Sequence, residues 1–323
     1  MKAAPKLYLA SPVPLSEAQV VEAVTPGPTL RVSAVIVNHN AGHYLADCVR
    51  VALPQVDEIL VIDNASTDSS LALCMEDFAD QKLRFFRNST NLGFAAACNI
   101  GAQRVTGDYV LFLNPDCSLD SSAVDALTQV LESEAASGMA GGLLVNQDGS
   151  EQGGGRRAVP TPWRSFVRVF GLSRLAHRWP KLFFDFHLHK QPLPDRPIEV
   201  EAISGACMLV KRDAIKDVGL WDERYFLHCE DLDWCMRFRQ KGWKILFVPA
   251  ARVSHALGVC GRSRPYFVEW HKHKGMVHFY RKFFRHQYPG ALMGLVTLGV
   301  WLRYALIVGL ITARRVKRAL TRT

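Results

Sequence analysis

Residues 109–120, YVLFLNPDCSLD, are the stretch on which the interpretation of this sequence depends. Five apolar residues run into Asn114-Pro115-Asp116, after which the chain turns polar. Asn-Pro and Pro-Asp are common turn sequences, so a simple turn would account for the break. In an open α/β sheet, however, ligands bind beyond the carboxyl ends of parallel strands. The flanking sequence decides whether Asp116 stands at such an end.

Short apolar segments alternate with helical segments around this stretch. The strand-like segments are VSAVIVNHN from Val32, EILVID from Glu58, LRFFRN from Leu83 and DYVLFLN from Asp108. Continuous apolar runs of this length are typical of strands buried on both faces. Strands that alternate with helices indicate βαβ units. We therefore predict an α/β fold with a mostly parallel central sheet and helices on both faces.

The second half of the chain is less regular. MAGGLLV from Met139, IEVEAISGACMLVKR from Ile198 and WKILFVP from Trp243 predict further strands around a long insertion. FLHCEDLDWCMRFRQKG from Phe226 predicts a helix with its acidic residues first, an arrangement that the helix dipole favours.

Composition limits the partners. The 323 residues are 49% hydrophobic, and 39 Lys and Arg against 30 Asp and Glu give a formal charge of +9. Such a charge suits an anionic partner: nucleic acid, an acidic lipid surface or a phosphorylated substrate. The eight cysteines form no C-x-x-C pair, which favours free thiols in a reducing compartment. No apolar segment follows Lys2 and Lys6, so we expect no secretory signal.

Three of the predicted strands end in polar groups: Asn38-His39-Asn40, Asp63-Asn64 and Asn114-Pro115-Asp116. Each group taken alone is explained by a turn or a helix cap. In a parallel sheet, however, the three groups converge on one crevice. A nucleotide needs donors and acceptors for its base and a cation for its diphosphate. The convergence therefore predicts a nucleotide site.

Taken in order, these motifs resemble family 2 glycosyltransferases, which are inverting enzymes with a GT-A fold. Within that family the sequence is most similar to bacterial rhamnosyltransferases of cell-surface polysaccharide assembly. The similarity extends from about Arg31 to Gly258. It is carried by VSAVIVNHN, ILVIDNASTDSS, NLGFAAACNIG, FLNPD, SGACMLVKR, FLHCEDLDWCMRFRQKG and RVSHALG.

The resemblance implies a donor site. Asp63 would contact the nucleotide base, and Asp116 would hold Mg²⁺ or Mn²⁺ against the diphosphate. The family's first metal-motif carboxylate is replaced here by Asn114, which leaves one negative charge fewer. His255 would contact the metal or the diphosphate. The further residues that we expect on the donor side are Asn38, Asn40, Asn64, Asn91, Gly93 and Phe94.

The resemblance also implies a catalytic and acceptor side. Asp231 would be the base that deprotonates the acceptor hydroxyl, with Glu230 as the alternative, while Asp233 would orient its neighbours. Helix-end electrostatics alone would also explain these three acidic residues. The acceptor side would be formed by Gly205, Ala206 and Trp234.

The segments suggest a division into three parts. Residues 1–30 are a proline-containing extension that we expect to be loosely ordered. Residues 31–258 form the transferase domain, with a nucleotide-sugar half at 31–138 and an acceptor half at 139–258. The acceptor half contains a basic and aromatic insertion at 155–198. Residues 259–323 form a basic, apolar helical tail.

The tail and the insertion point to a membrane. ALMGLVTLGVWLRYALIVGLIT is long enough to span a bilayer, but Arg303 lies near its middle and both flanks are basic. We therefore favour peripheral or monotopic attachment at the cytoplasmic face of the inner membrane. The insertion suits an interfacial segment or an acceptor loop, although a solvated loop with buried anchors explains it equally well.

The resulting hypothesis is an inverting transferase that moves a sugar, rhamnose from dTDP-rhamnose, to a lipid-linked or polysaccharide acceptor. A UDP- or GDP-sugar donor and a catalytically silent membrane scaffold of the same fold are the alternatives. A nucleic-acid-binding protein is suggested by the charge alone, and no recognition motif supports it. The sequence leaves homo-oligomerisation open.

Overall fold

The first half of the chain follows the predicted order of strands and helices. The computed structural model describes residues 30–179, 181–183, 186–256 and 264–321. The first strands are β1 (Val32–Asn38), β2 (Glu58–Asp63), β3 (Leu83–Arg87) and β4 (Tyr109–Leu113). They are connected by helices α1 (Tyr44–Ala52), α2 (Ser70–Asp77) and α3 (Phe94–Ala102), with a 3₁₀ turn at Leu53–Gln55. Strands β1, β2 and β4 are buried along their whole length.

These strands form a parallel unit in the order β3, β2, β1, β4. The register pairs Asn38 with Asp63, and Ile36 with Leu113. Because the strands run in the same direction, the segments that follow them lie along one edge of the sheet, which we call the carboxyl edge. The polar groups after β1, β2 and β4 therefore meet there, as predicted.

The second half extends the same sheet. Its strands are β5 (Cys117–Leu119), β6 (Ser137–Val145), β7 (Arg156–Arg157), β8 (Ile198–Glu199), β9 (Ala202–Ile203), β10 (Cys207–Lys211) and β11 (Lys244–His255). Its helices are α4 (Ala123–Ser133), α5 (Pro162–Val169), α6 (Arg212–Val218) and α7 (Glu230–Gln240), with 3₁₀ turns at Leu172–His177 and Leu188–Lys190. From β4 the sheet continues through β10, β6 and β11 to β5, and β8 pairs with β11. Strands β7 and β9 form a separate two-stranded sheet.

The α/β class is confirmed, and the second half of the sheet is mixed in direction. Strands β6 and β11 are parallel, whereas β10 is antiparallel to both β4 and β6. The direction of β10 follows from where the chain enters it. Residue Ala206, just before β10, lies at the carboxyl edge, where its carbonyl accepts from the amide of Asn114 (2.9 Å). A strand that starts at this edge runs back against β4.

Two apolar layers cover the two faces of the sheet. Along β1, Val35 and Val37 belong to the layer beneath α3, α6 and α7, whereas Ala34 and Ile36 belong to the layer beneath α1 and α4. Burying an aliphatic side chain of this size fully contributes about 1.5–3 kcal/mol. With both faces packed in this way, the strand ends at the carboxyl edge are held firmly in place.

The described chain ends in two packed antiparallel helices, α8 (Pro265–Phe284) and α9 (Gly290–Leu320). Phe279 of α8 is fully buried in the core. Helix α9 has 31 residues, a length of about 46 Å at 1.5 Å per residue. Within the described ranges it is the one helix that is long and apolar enough to cross a membrane.

The predicted three-part division stays a prediction. Residues from Arg31 onward form one compact unit. Except for Leu30, the extension at residues 1–30 lies outside the described residues, as does the domain boundary at Gly258.

Candidate active site

The turn Asn114-Pro115-Asp116 lies at the carboxyl edge, directly after β4. The amide of Asn114 donates to the carbonyl of Ala206 (2.9 Å), and the amide of Ala256 donates to the carbonyl of Asp116 (3.0 Å). Asn114 is half-buried, and Asp116 is only 7% exposed. Because the turn is tied on two sides, the Asp116 carboxylate is held in a fixed position.

His255 lies beside Asp116 because β11 and β5 pair in an antiparallel register, with His255 opposite Cys117. Its Nε2 atom is 3.3 Å from Oδ1 of Asp116, and both side chains are largely buried. A cleft of about 270 Å³ opens beside the pair. A carboxylate oxygen and an imidazole nitrogen that face one point can hold a divalent cation.

Cys117 offers a third ligand atom, since its Sγ lies within 4.8 Å of the other two. Burial raises the pKa of this thiol well above its ordinary value, and Sγ donates to the carbonyl of Ala206 (3.4 Å). A buried, protonated thiol is a poor ligand for a hard cation. Asp116 and His255 are therefore the protein ligands on which a metal site here would depend.

Asp63, which was expected to contact the base, lies beneath the surface of the site. Its carboxylate is fully buried, accepts from Nδ2 of Asn38 (2.8 Å), and is 3.3 Å from Nε of the exposed Arg87. Asn38 is also fully buried, and its Nδ2 reaches the hydroxyls of Ser66 (3.0 Å) and Ser70 (2.9 Å). In this structure neither side chain presents surface to a donor, and together they fasten the ends of β1 and β2.

Asn64 and Asn91 position the loop after β3. Asn64 donates from Nδ2 to Oδ1 of Asn91 (2.9 Å) and to the carbonyl of Gly93 (3.1 Å). Its Oδ1 accepts from Nδ2 of Asn88 (3.1 Å) and from the amide of Leu92 (3.0 Å). The two donors and two acceptor positions of this amide are thus used inside the protein. The predicted place of Asn64 on the donor side stays a prediction.

Asn40 connects the loops after β1 and β2. Its Oδ1 accepts from the amides of Thr67 (2.8 Å) and Asp68 (3.2 Å), and its backbone is left-handed, with φ of 56°. Left-handed residues other than glycine are uncommon and often cluster at functional sites. In the described chain the non-glycine residues with positive φ are Asn40, Ala65, His228 and Cys229, all next to the predicted motifs.

Gly93 and Phe94 join the donor side to the loop before α7. Gly93 has φ of 88°, and a Cβ atom there would lie 2.6 Å from the carbonyl oxygen of Phe226, so only glycine fits. The amide of Phe94 donates to the same carbonyl (2.8 Å). The half-buried Phe94 ring packs edge-on against Trp221, with ring centroids 5.9 Å apart.

Helix α7 brings Asp231 to the carboxyl edge. Its Oδ2 accepts from the amide of Gly205 (3.2 Å) and is ion-paired with Nη2 of Arg157. Its Oδ1 accepts from the amide of Leu232 (2.7 Å). The side chain is 15% exposed. Asp231 is therefore accessible to a ligand and is held in one orientation.

The neighbouring Glu230 is buried, and its Oε2 has no hydrogen-bond partner among the described residues. Burial, and then the charge of Asp231, raise the pKa of Glu230 well above its usual range. A carboxyl group that keeps its proton at neutral pH cannot take up another. Of this pair, Asp231 is the one whose carboxylate is exposed, which contact with an acceptor hydroxyl requires.

Two further residues of α7 are structural. Asp233 is fully buried between Nε of Arg237 (2.8 Å) and Nζ of Lys282 (2.6 Å), so it fastens α7 to α8. Trp234 is also fully buried, and its indole N–H donates to the carbonyl of Gly219 (2.9 Å). This position of the helix points into the core, and the predicted place of Trp234 on the acceptor side stays a prediction.

Gly205 and Ala206 connect the turn after β4 to Asp231. The amide of Gly205 donates to Asp231, and the carbonyl of Ala206 accepts from Asn114. Ala206 is 3% exposed, so its role here is carried by its backbone. The predicted contact of both residues with an acceptor stays a prediction.

Arg157 on β7 is a site residue that the sequence did not single out. Its Nη2 atom pairs with Asp231 and approaches the carbonyl of Ile203 (3.5 Å). The only sequence feature that marks Arg157 is its place in the Arg156-Arg157 pair at the start of the insertion, and that pair was interpreted as part of a basic segment. The ion pair is formed across 74 residues of sequence, and no local pattern predicts it.

The family model for glycosyl transferase family 2 matches residues 33–219, more than half of the 323 residues. The chain belongs to glycosyl transferase family 2. A second model, glycosyl transferase family group 2, matches residues 160–314, which include most of the insertion and α7.

Two bacterial relatives carry rhamnosyltransferase names, which confirms the predicted resemblance. N-acetylglucosaminyl-diphospho-decaprenol L-rhamnosyltransferase of Mycobacterium tuberculosis is 29% identical over 208 residues, 61% of this chain and 66% of the relative. Rhamnosyltransferase WbbL of Escherichia coli is 26% identical over 152 residues, 46% of this chain and 52% of the relative. The chain thus spans less than two thirds of the length of these relatives.

Among solved structures, GalNAc-T7 with UDP, GalNAc and Mn²⁺ is similar with a TM-score of 0.56 and 20% identity, over 78% of this chain and 48% of that chain. At this identity the similarity concerns the fold, and the predicted GT-A fold is confirmed. The family match and the similarity to named glycosyltransferases show that this chain is a family 2 glycosyltransferase.

Proposed function

We propose that this glycosyltransferase moves a sugar, with inversion, from a nucleotide diphosphate donor to an acceptor hydroxyl in cell-envelope glycan assembly. The observation that carries the proposal is the arrangement of the carboxyl edge. The Asp116–His255 pair and Asp231 are joined there through Gly205 and Ala206. One side offers ligands for the cation that a diphosphate requires, and the other offers an accessible carboxylate for a hydroxyl proton.

The transfer would be a single in-line displacement. Asp231 takes the proton of the acceptor hydroxyl while the acceptor oxygen forms a bond to C1 of the sugar. The bond between C1 and the diphosphate oxygen breaks, and its electron pair leaves with the nucleoside diphosphate. One base is sufficient for this step. Arg157 and Gly205 hold the carboxylate of Asp231 in its orientation.

Asp116 and His255 would hold Mg²⁺ or Mn²⁺. Oδ1 of Asp116 and Nε2 of His255 are 3.3 Å apart, and two such acceptor atoms repel each other unless a proton or a cation lies between them. A bound cation stabilises the charge of the departing diphosphate. The imidazole ligand favours Mn²⁺, because Mg²⁺ prefers oxygen ligands and retains several waters.

The donor that we propose is dTDP-rhamnose. Support comes from the rhamnosyltransferase names of the two bacterial relatives. The name of the mycobacterial relative also describes an acceptor sugar on a diphosphate-linked lipid, which supports a lipid-linked or glycan acceptor here.

We further propose attachment to the cytoplasmic face of the membrane by α9 lying along the surface. Helix α9 packs against α8 along its length: Thr312 contacts Tyr266 (3.0 Å between hydroxyls), and the rings of Trp301 and Trp270 lie 5.1 Å apart. Helix α8 is itself packed into the transferase core. A helix fastened in this way would have to take the core with it to cross a bilayer.

Arg303 is explained by the same packing. Its Nη1 atom donates to Nε2 of the buried His273 on α8 (3.0 Å). On another face of α9, five leucines at helical spacing are each more than half exposed: Leu295, Leu298, Leu302, Leu306 and Leu310. The last turns carry Arg314, Arg315, Lys317 and Arg318. An apolar stripe beside basic residues suits an anionic lipid surface.

Donor-dependent thermal stabilisation tests this proposal. Purified protein would be heated with Mn²⁺ or Mg²⁺ and with dTDP-rhamnose, UDP-sugars or GDP-sugars in turn. A donor present at 100 times its Kd adds about 2.7 kcal/mol to the free energy of unfolding. We expect stabilisation by dTDP-rhamnose that requires the metal and is lost in Asp116→Asn but kept in Asp120→Asn, an exposed aspartate of the same turn region.

Two other results would change the proposal. Stabilisation by a UDP- or GDP-sugar alone would keep the transferase and replace the donor. If no donor stabilises the protein with or without lipid vesicles and a lipid-linked acceptor, the transfer proposal fails.

A further inference from the structure

A chain of hydrogen bonds leads from the loop after β6 to the ring of His255. The loop comprises residues 146–152, NQDGSEQ, and it turns at Gly149, where φ is 82°. The last residue of the loop is Gln152, which is 3% exposed. Gln152 contacts His255 on the side of the ring opposite Asp116.

The direction of each hydrogen bond follows from the one before it. Asp148 can only accept when ionised, and hydrogen bonds from the hydroxyl and amide of Ser150 lower its pKa. The hydroxyl of Ser150 therefore donates to Oδ1 of Asp148 (2.5 Å), and its oxygen accepts from Nδ2 of Asn146 (3.0 Å). This leaves Oδ1 of Asn146 as an acceptor, and it accepts a hydrogen bond from Nε2 of Gln152 (3.1 Å).

The same reasoning assigns the proton on His255. Nε2 of Gln152 also donates to the carbonyl of His255 (3.1 Å), so both of its hydrogens are used. Oε1 of Gln152 must then be the atom 2.7 Å from Nδ1 of His255, and it can only accept. Nδ1 therefore carries a proton, and in the neutral ring Nε2 presents its lone pair toward Asp116.

We propose that Gln152 is a positioning residue for the divalent metal site, which it serves by holding His255 in the tautomer and ring orientation that leave Nε2 free to bind the cation. The inference rests on the proposed metal site of Asp116 and His255. Hydrogen-bond partners of metal-binding histidines fix the ring in this manner, and their loss typically costs 10- to 100-fold in metal affinity. The loop at residues 146–152 thus acts on the metal without contacting the donor.

The test is a calorimetric titration of Mn²⁺ into the full-length protein without donor. Gln152→Met keeps the length of the side chain but removes both the acceptor for Nδ1 and the donors, and it should bind Mn²⁺ about 10- to 100-fold more weakly than the wild type. Gln103→Met is the matched control, because Gln103 is exposed directly after α3 and does not line the cleft beside Asp116 and His255, and it should bind as the wild type does. Thermal unfolding without metal checks that the variants are folded.

A pair of variants at Asn146 separates positioning from a loss of structure. Asn146→Asp keeps an acceptor for Gln152 and should retain the Mn²⁺ affinity, whereas Asn146→Leu removes it and should weaken binding. These two variants decide the question if Gln152→Met does not fold.

The outcomes distinguish the two proposals. The proposed metal site is refuted if the wild type does not bind Mn²⁺, or if Asp116→Asn binds it equally well. The proposed role of Gln152 is then refuted too, because it depends on that site. If the wild type binds Mn²⁺ through Asp116 while folded Gln152→Met binds equally tightly, only the positioning role is refuted. Equal affinities in Asn146→Asp and Asn146→Leu would refute it too.

Discussion

Replacing the two adjacent carboxyl groups of α7 one at a time should affect catalysis very differently. Asp231 is 15% exposed and accepts hydrogen bonds from Gly205 and Leu232, besides its ion pair with Arg157. Glu230 is buried, and burial raises its pKa well above the usual range. We therefore expect Asp231, rather than Glu230, to take the proton of the acceptor hydroxyl.

For Asp231→Asn we expect kcat to fall by about 10²- to 10⁴-fold, the usual contribution of a general base. At 1.36 kcal/mol for each factor of ten, this loss corresponds to about 3–5 kcal/mol of transition-state stabilisation. The amide would also turn a donor toward Arg157 or Gly205, which costs about 1–3 kcal/mol of stability. Donor binding should remain, because Asp231 lies on the acceptor side.

For Glu230→Gln we expect kcat within about 10-fold of the wild type, since an amide resembles a protonated carboxyl group in shape and is also neutral. The assay is the initial rate of sugar transfer at saturating donor. Thermal unfolding and donor-induced stabilisation are measured on the same samples. A loss of 10²-fold or more in Glu230→Gln, with Asp231→Asn keeping most of its activity, would make Glu230 the base and refute the assignment.

Three further predictions concern the scaffold and the membrane. Gly93→Ala should lower the free energy of unfolding by about 1–3 kcal/mol, because the left-handed backbone and the carbonyl of Phe226 leave no room for Cβ; an unchanged urea midpoint would contradict this close contact. Burial raises the pKa of Glu58, but the hydrogen bonds that it accepts outweigh this effect and lower it to about 2. The resulting stabilisation, on the order of 3 kcal/mol, should be present above about pH 4.5 and lost as the pH falls through about 2. Glu58→Gln should therefore flatten the acid limb of a stability–pH curve, and a limb as steep as that of the wild type would count against it. The double change Leu302→Glu and Leu306→Glu should reduce binding to anionic vesicles by at least about 10-fold, since two exposed apolar groups are lost from the membrane face; binding equal to that of the wild type in a flotation assay would exclude this face of α9.

Local patterns were sufficient for much of the fold. The buried strands after Arg31, the alternating helices and the acidic start of α7 are all visible in the order of apolar and polar residues. These features depend on neighbours within one turn of helix or a few residues of strand, which is the range over which periodicity operates. The resemblance implied that Asp116 and His255 would each contact the metal or the diphosphate, and the antiparallel register of β5 and β11 explains why the two side chains lie close together.

The sequence pattern did not show where several of the polar side chains point. Asn38, Asp63 and Asn64 follow strands as predicted, but each is buried and bonded to partners about 25 residues or more away in sequence. Trp234 lies in a helix as predicted and faces the core. A one-dimensional pattern shows that a polar group stands at a strand end, and it does not show whether other loops will cover that group.

Residue order alone therefore determined the α/β alternation, the carboxyl edge at which the polar strand ends meet, and the acidic pair of α7. The folded chain determined the direction of β10, the contact of Arg157 with Asp231, the burial of Glu230 and the link from Gln152 to His255. Each of these depends on burial or on contacts between segments that are distant in sequence. Desolvation and hydrogen-bond direction are properties of the packed surroundings, so they exist only once those segments have come together.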